Sequence, residues 1–226
     1  MAAYWQEHDI SFLKHANLSR FNSKILDLDL KSENHFFAQQ LQYAPNKSKM
    51  LDIGAYKGDT CIPVAKELKE NGRADIEVIA FEPNKTYCDQ INETALQEKI
   101  NLKCIQTALS DKTQPLFMKT DEGSGTMYDT MFTGEEVKSQ PLDHFGFENV
   151  ALMKVDVEGH EDQVLRGSKQ TLIHTDKLYV EMWNDHHYNE RHPNHDKGSH
   201  NERILNEIQR CQPLQKIEKN VLFQCE

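Results

Sequence analysis

The chain has 226 residues, 38% of them hydrophobic and 27% charged, with a formal charge of −10. That balance fits one α/β domain with a substantial core and excludes a disordered chain. It also argues against nucleic acid as a partner, because no basic stripe is present to displace counterions.

No apolar run reaches the roughly 18 residues that a membrane span requires. The opening "MAAYWQEHDISF" lacks the basic and apolar regions of a secretory signal. A cytoplasmic protein is expected. The scattered Cys61, Cys88, Cys104, Cys211 and Cys225 never fall in C-x-x-C spacing, so they read as reduced thiols.

Residues 1–48 read as a helical lead-in to a single domain over 49–226. Phe36, Phe37, Leu41 and Ala44 recur at helical spacing, and Pro45 stops the helix. "KMLDIG" is then a short buried strand, followed by an amphipathic helix from Asp59 to Glu70. "IEVIAFEP" is a second strand, after which Asn84 caps a helix running to about Lys99. "INLKCIQTALS", "VALMKVDV" and "KLYVEMW" supply three more strands. Near-continuous apolar strands alternating with helices predict a mostly parallel sheet with helices on both faces. Residues 112–141 interrupt the alternation with a polar, glycine-bearing insertion. The tail "LQKIEKNVLFQCE" reads as an antiparallel hairpin. Parallel strands ending in such a hairpin suit a Rossmann-like, seven-stranded class I methyltransferase better than a plain nucleotide-binding fold.

The stretch "MLDIGAYKGDT" carries the strongest functional signal. Glycines after a first parallel strand let the backbone approach a ligand at the following helix N-terminus. A dinucleotide site uses G-x-G-x-x-G to receive a pyrophosphate. Here Asp52 precedes Gly54 and Gly58, and a carboxylate repels phosphate but suits the ammonium and sulfonium charges of S-adenosylmethionine. Glu82, at the end of the second strand, is placed for ribose hydroxyls.

"KVDVEGHE" gathers Asp156, Glu158, His160 and Glu161 at the carboxyl end of the fourth predicted strand, where ligands of such sheets sit. Asp156 is placed near a transferring methyl. His160 is a candidate base by its ordinary pKa, and Glu158 joins them as a catalytic candidate. Glu158 and Glu161 equally suit helix-start carboxylates. Asp156 and Glu181 can hold Mg²⁺ or Mn²⁺, with Asn184 or Asp185 joining them. The histidine-rich loop holding His186, His187, His192, His195 and His200 is expected to line an acceptor pocket with Tyr188, and the 120–135 insertion is expected to close over it.

From Leu51 to Trp183 the chain resembles the FkbM family of methyltransferases. "DIGAYKGDT", "FEPN", "TALSD" and "LDHFGFENVALMKVDVEGHEDQVLRGS" are similar to that family's motifs, and "VEMW" follows in its place. The resemblance implies a donor site that includes Asp52, Gly54, Ala55, Tyr56, Gly58, Asp59, Thr60, Glu82, Pro83, Asn84, Ala108, Leu109 and Asp156. Tyr56 departs from the pattern, which more often has a small or amide residue. The resemblance also implies O-methylation, frequently of a sugar hydroxyl, with a small-molecule or glycan acceptor. Another small metabolite or a lipid head group is the alternative acceptor. A nucleotide-binding module without catalysis and an NAD enzyme are further readings, opposed respectively by the intact carboxylates and the missing G-x-G-x-x-G.

Overall fold

The computed structural model describes residues 22–26, 30–121, 124–128, 135–183, 188–189, 199–217 and 220–225. The central strands are those the apolar runs predict: β2 (Lys49–Ile53), β3 (Glu77–Phe81), β4 (Leu102–Ile105), β9 (Val150–Val155) and β10 (Thr175–Glu181). All pair in parallel, with Met50 opposite Val78 and Leu51 opposite both Ile79 and Met153. Every residue of β9 is buried, as expected of a strand covered on both faces.

The predicted hairpin is β11 (Cys211–Ile217) and β12 (Asn220–Cys225), and β12 runs antiparallel between β10 and β11. One strand lies outside the sequence expectation: β1 (Asn22–Leu26) pairs in parallel with β11 and completes the order β1-β11-β12-β10-β9-β2-β3-β4. The lead-in is thus partly strand.

Alternation along the strands feeds two cores. Leu51, Ile53, Met153, Val155, Leu178, Val180 and Phe223 face one side, where α4 (Glu161–Arg166), α5 (Lys169–Ile173) and α6 (His200–Glu207) pack. Met50, Val78, Leu152, Tyr179 and Leu222 face the other, beneath α1 (Leu30–Leu41), α2 (Cys61–Glu70) and α3 (Lys85–Glu98). Phe37 and Leu41 are fully buried on α1, each contributing about 1.5–3 kcal/mol by its removal from water. Asn84 caps α3 as predicted, its Oδ1 accepting the Tyr87 N–H at 3.1 Å.

The insertion forms a second sheet, β5 (Ala108–Leu109), β8 (Glu135–Gln140), β6 (Pro115–Asp121) and β7 (Ser124–Tyr128), in that order. Among the described residues no helix is long and apolar enough to cross a membrane.

The cysteine expectation requires correction. Cys88 and Cys104 are joined between α3 and β4, and Cys211 and Cys225 are joined across the hairpin, leaving buried Cys61 as the free thiol. The second pair arises from register: the ladder slips at Pro213–Gln215, and that slip sets Cys211 directly opposite Cys225.

Candidate active site

The loop after β2 is shaped by what it must pass. Gly54 has φ +86°, and a Cβ there would lie 1.9 Å from the Asp156 carbonyl oxygen, so only glycine allows the loop to cross the end of β9. The N–H groups of Gly54 and Ala55 both donate to the Phe81 carbonyl at the end of β3, at 3.1 and 3.2 Å. Gly58, at φ +88°, packs where Ile62 and Ile91 leave no room for a side chain. Tyr56 also sits in the left-handed region, at φ +50°, a conformation uncommon outside glycine. Its ring meets Tyr87 edge-on at 5.0 Å, with the Lys57 ammonium over both rings. Thr60 is buried and Asp59 exposed; the Asp59 carbonyl accepts from Asn34 Nδ2 of α1 at 2.8 Å.

Glu82 ties the loop to the next strand. Its Oε2 accepts the Tyr56 N–H from the loop after β2 and its Oε1 the Asn84 N–H just past Pro83, both at 2.8 Å. Burial pushes its carboxyl up to about 7, although these two amides and their charge-favouring bonds pull the other way. Ala108 and Leu109 are buried in β5, in separate cores.

The sequence reading named Asp52 but missed its partners at the centre of the site, Lys154 and Tyr179. Asp52, Lys154 and Tyr179 are register partners across β2, β9 and β10, on one face of the sheet. Asp52 is wholly buried, and Lys154 is nearly so. The Lys154 Nζ lies 3.5 Å from Asp52 Oδ1 and 3.2 Å from Asp156 Oδ2, so one ammonium serves two carboxylates. Burial alone would lower the Lys154 pKa, but Asp156 and Asp52 overcome it and hold the amine firmly protonated. Asp52 is raised by burial despite the ammonium beside it. Glu33 of α1 closes the row from above, accepting from the Tyr179 hydroxyl and from Asn220 Nδ2.

After β9 the chain turns sharply through two left-handed residues, Glu158 (φ +56°) and Gly159 (φ +98°). Asp156 keeps 29% of its side chain exposed and faces the crevice from the strand end. The His160 ring is buried, with Nε2 3.0 Å from Ser110 Oγ. Glu161 is fully buried and Oε1 accepts the Val157 and Gly159 N–H groups at 2.9 and 3.1 Å, the helix-start role.

His200 and Tyr188, expected in an exposed acceptor loop, are instead fully buried and stacked on each other at 4.1 Å. Asn184, Asp185, His186, His187, His192 and His195 lie outside the described residues, as does part of the 120–135 insertion.

The expected Mg²⁺ or Mn²⁺ at Asp156 and Glu181 is not supported among the described residues. The Lys154 ammonium occupies the place of a cation beside Asp156, and no third metal-ligating group joins the pair among the described residues.

A sheet with one antiparallel strand between β10 and β11, and carboxylates at the carboxyl ends of β2, β3, β9 and β10, defines a class I methyltransferase. The Methyltransferase FkbM domain matches residues 52–213, well over half the chain, and the protein belongs to that family. Structures of the same fold include methyltransferase FkbM from Methylobacillus flagellatus KT, 13% identical with a TM-score of 0.53, matched over 88% of this chain and 56% of that one. Another is a "putative O-methyltransferase" from Klebsiella pneumoniae, 12% identical with a TM-score of 0.52, matched over 86% of this chain and 80% of that one. The chain thus spans little more than half the length of the Methylobacillus protein, at 56%. No curated protein sequence matches it.

Proposed function

We propose that the protein is an S-adenosylmethionine-dependent O-methyltransferase whose acceptor is a carbohydrate hydroxyl. The observation that carries this reading is the pairing of Glu82, held at the end of β3 by the amides of Tyr56 and Asn84, with buried Asp52 under the Gly54 crossing. Two carboxylates beside a bare backbone oppose a pyrophosphate and favour a diol next to a cation. Asp52, Gly54, Ala55, Tyr56, Gly58, Asp59, Thr60, Glu82, Pro83, Asn84, Ala108, Leu109 and Asp156 are the residues that would hold the donor. When bound, S-adenosylmethionine supplies a methyl group on a positively charged sulfur.

The chain's own task is the acceptor proton. Asp156 is the partly exposed carboxylate at the end of β9, with the Lys154 ammonium 3.2 Å from its Oδ2. Asp156 therefore takes the hydroxyl proton, while His160, bonded to Ser110, supports the turn. Methyl transfer from labelled donor to a panel of monosaccharides and glycans tests the proposal. Asp156→Asn should lower kcat by about 10²–10⁴, the usual worth of a positioned base, even with S-adenosylmethionine at saturation. Methylation of small metabolites or lipid head groups, but of no sugar, would overturn the acceptor assignment.

A further inference from the structure

Glu161 divides its carboxylate between two tasks. Oε1 fastens the Val157 and Gly159 amides on either side of the left-handed Glu158, while Oε2 lies 2.8 Å from His200 Nε2. Both side chains are at 0% exposure, and His200, the first residue of α6, is 39 positions away in sequence. The tautomer follows from the neighbours. Arg203 Nη2, which can only donate, lies 3.4 Å from His200 Nδ1. Asp162 Oδ1 also lies 3.9 Å from Nδ1, while Nε2 faces a carboxylate oxygen, which accepts, so Nε2 carries the hydrogen given to Glu161. Arg203 itself is fixed by Asp162, its Nε donating to Oδ2 at 3.1 Å, and Tyr188 stacks flat on the imidazole at 11°.

These contacts link the Arg203 guanidinium through His200 to Glu161, whose carboxylate accepts from the imidazole on one oxygen and from the two amides that bracket Glu158 on the other. We infer that His200 is a positioning residue for the turn from Asp156 to Gly159, acting through Glu161, so that α6 sets the placement of the proton-accepting carboxylate. Its catalytic consequence rests on the proposed methyl transfer; the effect on the turn does not. A carboxylate bonded to two amides has an in-plane direction left open, and a third donor on its second oxygen closes it. Without that donor, Glu161 can rotate and release either amide. The misplacement falls at Asp156, where errors of about 1 Å cost on the order of 10² in rate.

The test uses the full chain and two substitutions. His200→Leu keeps most of the ring's volume beneath Tyr188 but offers no donor; His200→Gln keeps a donor near Nε2. In His200→Leu, amide exchange at Val157 and Gly159 should quicken about tenfold or more, as for local opening, while Leu152 and Val155 in β9 stay protected. Towards the best sugar acceptor, kcat should fall about tenfold or more with affinity for S-adenosylhomocysteine unchanged. His200→Gln should restore both readouts. Unchanged exchange at the two amides, equal loosening throughout β9, or a Gln variant as impaired as the Leu variant would each overturn the inference. If the wild-type protein methylates no sugar, the proposed function fails, while the exchange measurement still decides the role of His200 in the turn.

Discussion

Replacing Lys154 with methionine removes a charge from the centre of the sheet while keeping most of the side-chain volume. Asp52 is at 0% exposure and has the Lys154 ammonium 3.5 Å away, so the variant leaves a buried carboxylate uncompensated. Breaking a buried ion pair from one side costs about 3–5 kcal/mol. For a chain of this size that corresponds to a Tm lower by about 6–20 °C, at about 2–4 °C per kcal/mol. Asp156, at 29% exposure, is solvated and adds less.

The loss should depend on pH, with a sign that follows from Asp52. Burial already raises its pKa in the folded protein. A carboxyl that holds its proton more tightly when folded contributes most at low pH, and that contribution is lost as pH rises through the folded value. Without Lys154 the folded value climbs further, so the deficit should widen from pH 5 to pH 8. Asp52→Asn in the Lys154→Met background should recover most of it. Urea denaturation followed by circular dichroism measures all three proteins. A deficit below about 1 kcal/mol at pH 8, well under the expected loss of a buried partner, would refute the account. A deficit independent of pH and unaffected by Asp52→Asn would do the same.

Three further outcomes are expected. Affinity for S-adenosylhomocysteine should weaken as pH falls through about 7, where burial has placed the Glu82 carboxyl, and calorimetry should find Glu82→Gln flat with pH and weaker by about 1–3 kcal/mol. Gly54→Ala should cost more than about 2 kcal/mol through strain and overlap with the Asp156 carbonyl, whereas Gly72→Ala, with nothing within 4 Å, should cost about 1–2 kcal/mol for its left-handed φ alone; comparable losses would contradict the crossing at Gly54. Dithiothreitol should lower stability to urea by up to about 3 kcal/mol per bridge, the loop-closure value for separations of 16 and 14 residues; an unchanged curve would show that the pairs are not bonded.

The donor loop was legible because its signals are local. An apolar strand, an acid, two glycines and the strand-ending Glu82 all lie within 31 positions of one another, from Asp52 to Glu82, and each has its own steric or electrostatic reason. What stayed hidden depends on pairing across the chain. Lys154 did leave a trace: a lone ammonium inside "VALMKVDV" needs a buried acid, but register alone shows that the acid is Asp52. Glu33 meets Tyr179 over 146 positions, and His200 meets Glu161 over 39, distances at which spacing carries no information. His160 reads as a base because its type and pKa suit one, whereas its contact with Ser110 spans 50 positions and leaves no mark in local spacing. The Cys211–Cys225 bond escaped notice because an unslipped hairpin would not have set those two residues opposite each other.

The strand β1 has a consequence for synthesis. Its partner β11 begins at Cys211, while β1 begins at Asn22. At about 5–20 residues per second on the ribosome, some 10–40 s separate the two strands, and for that interval the backbone groups of β1 have no ladder to join. The parallel strands β2, β3 and β4 can assemble as they emerge, so the sheet grows outward from its middle and β1, first among the described strands, is seated among the last. Nascent chains arrested before Cys211 should therefore carry a protected β2–β3 core alongside a β1 segment still open to protease.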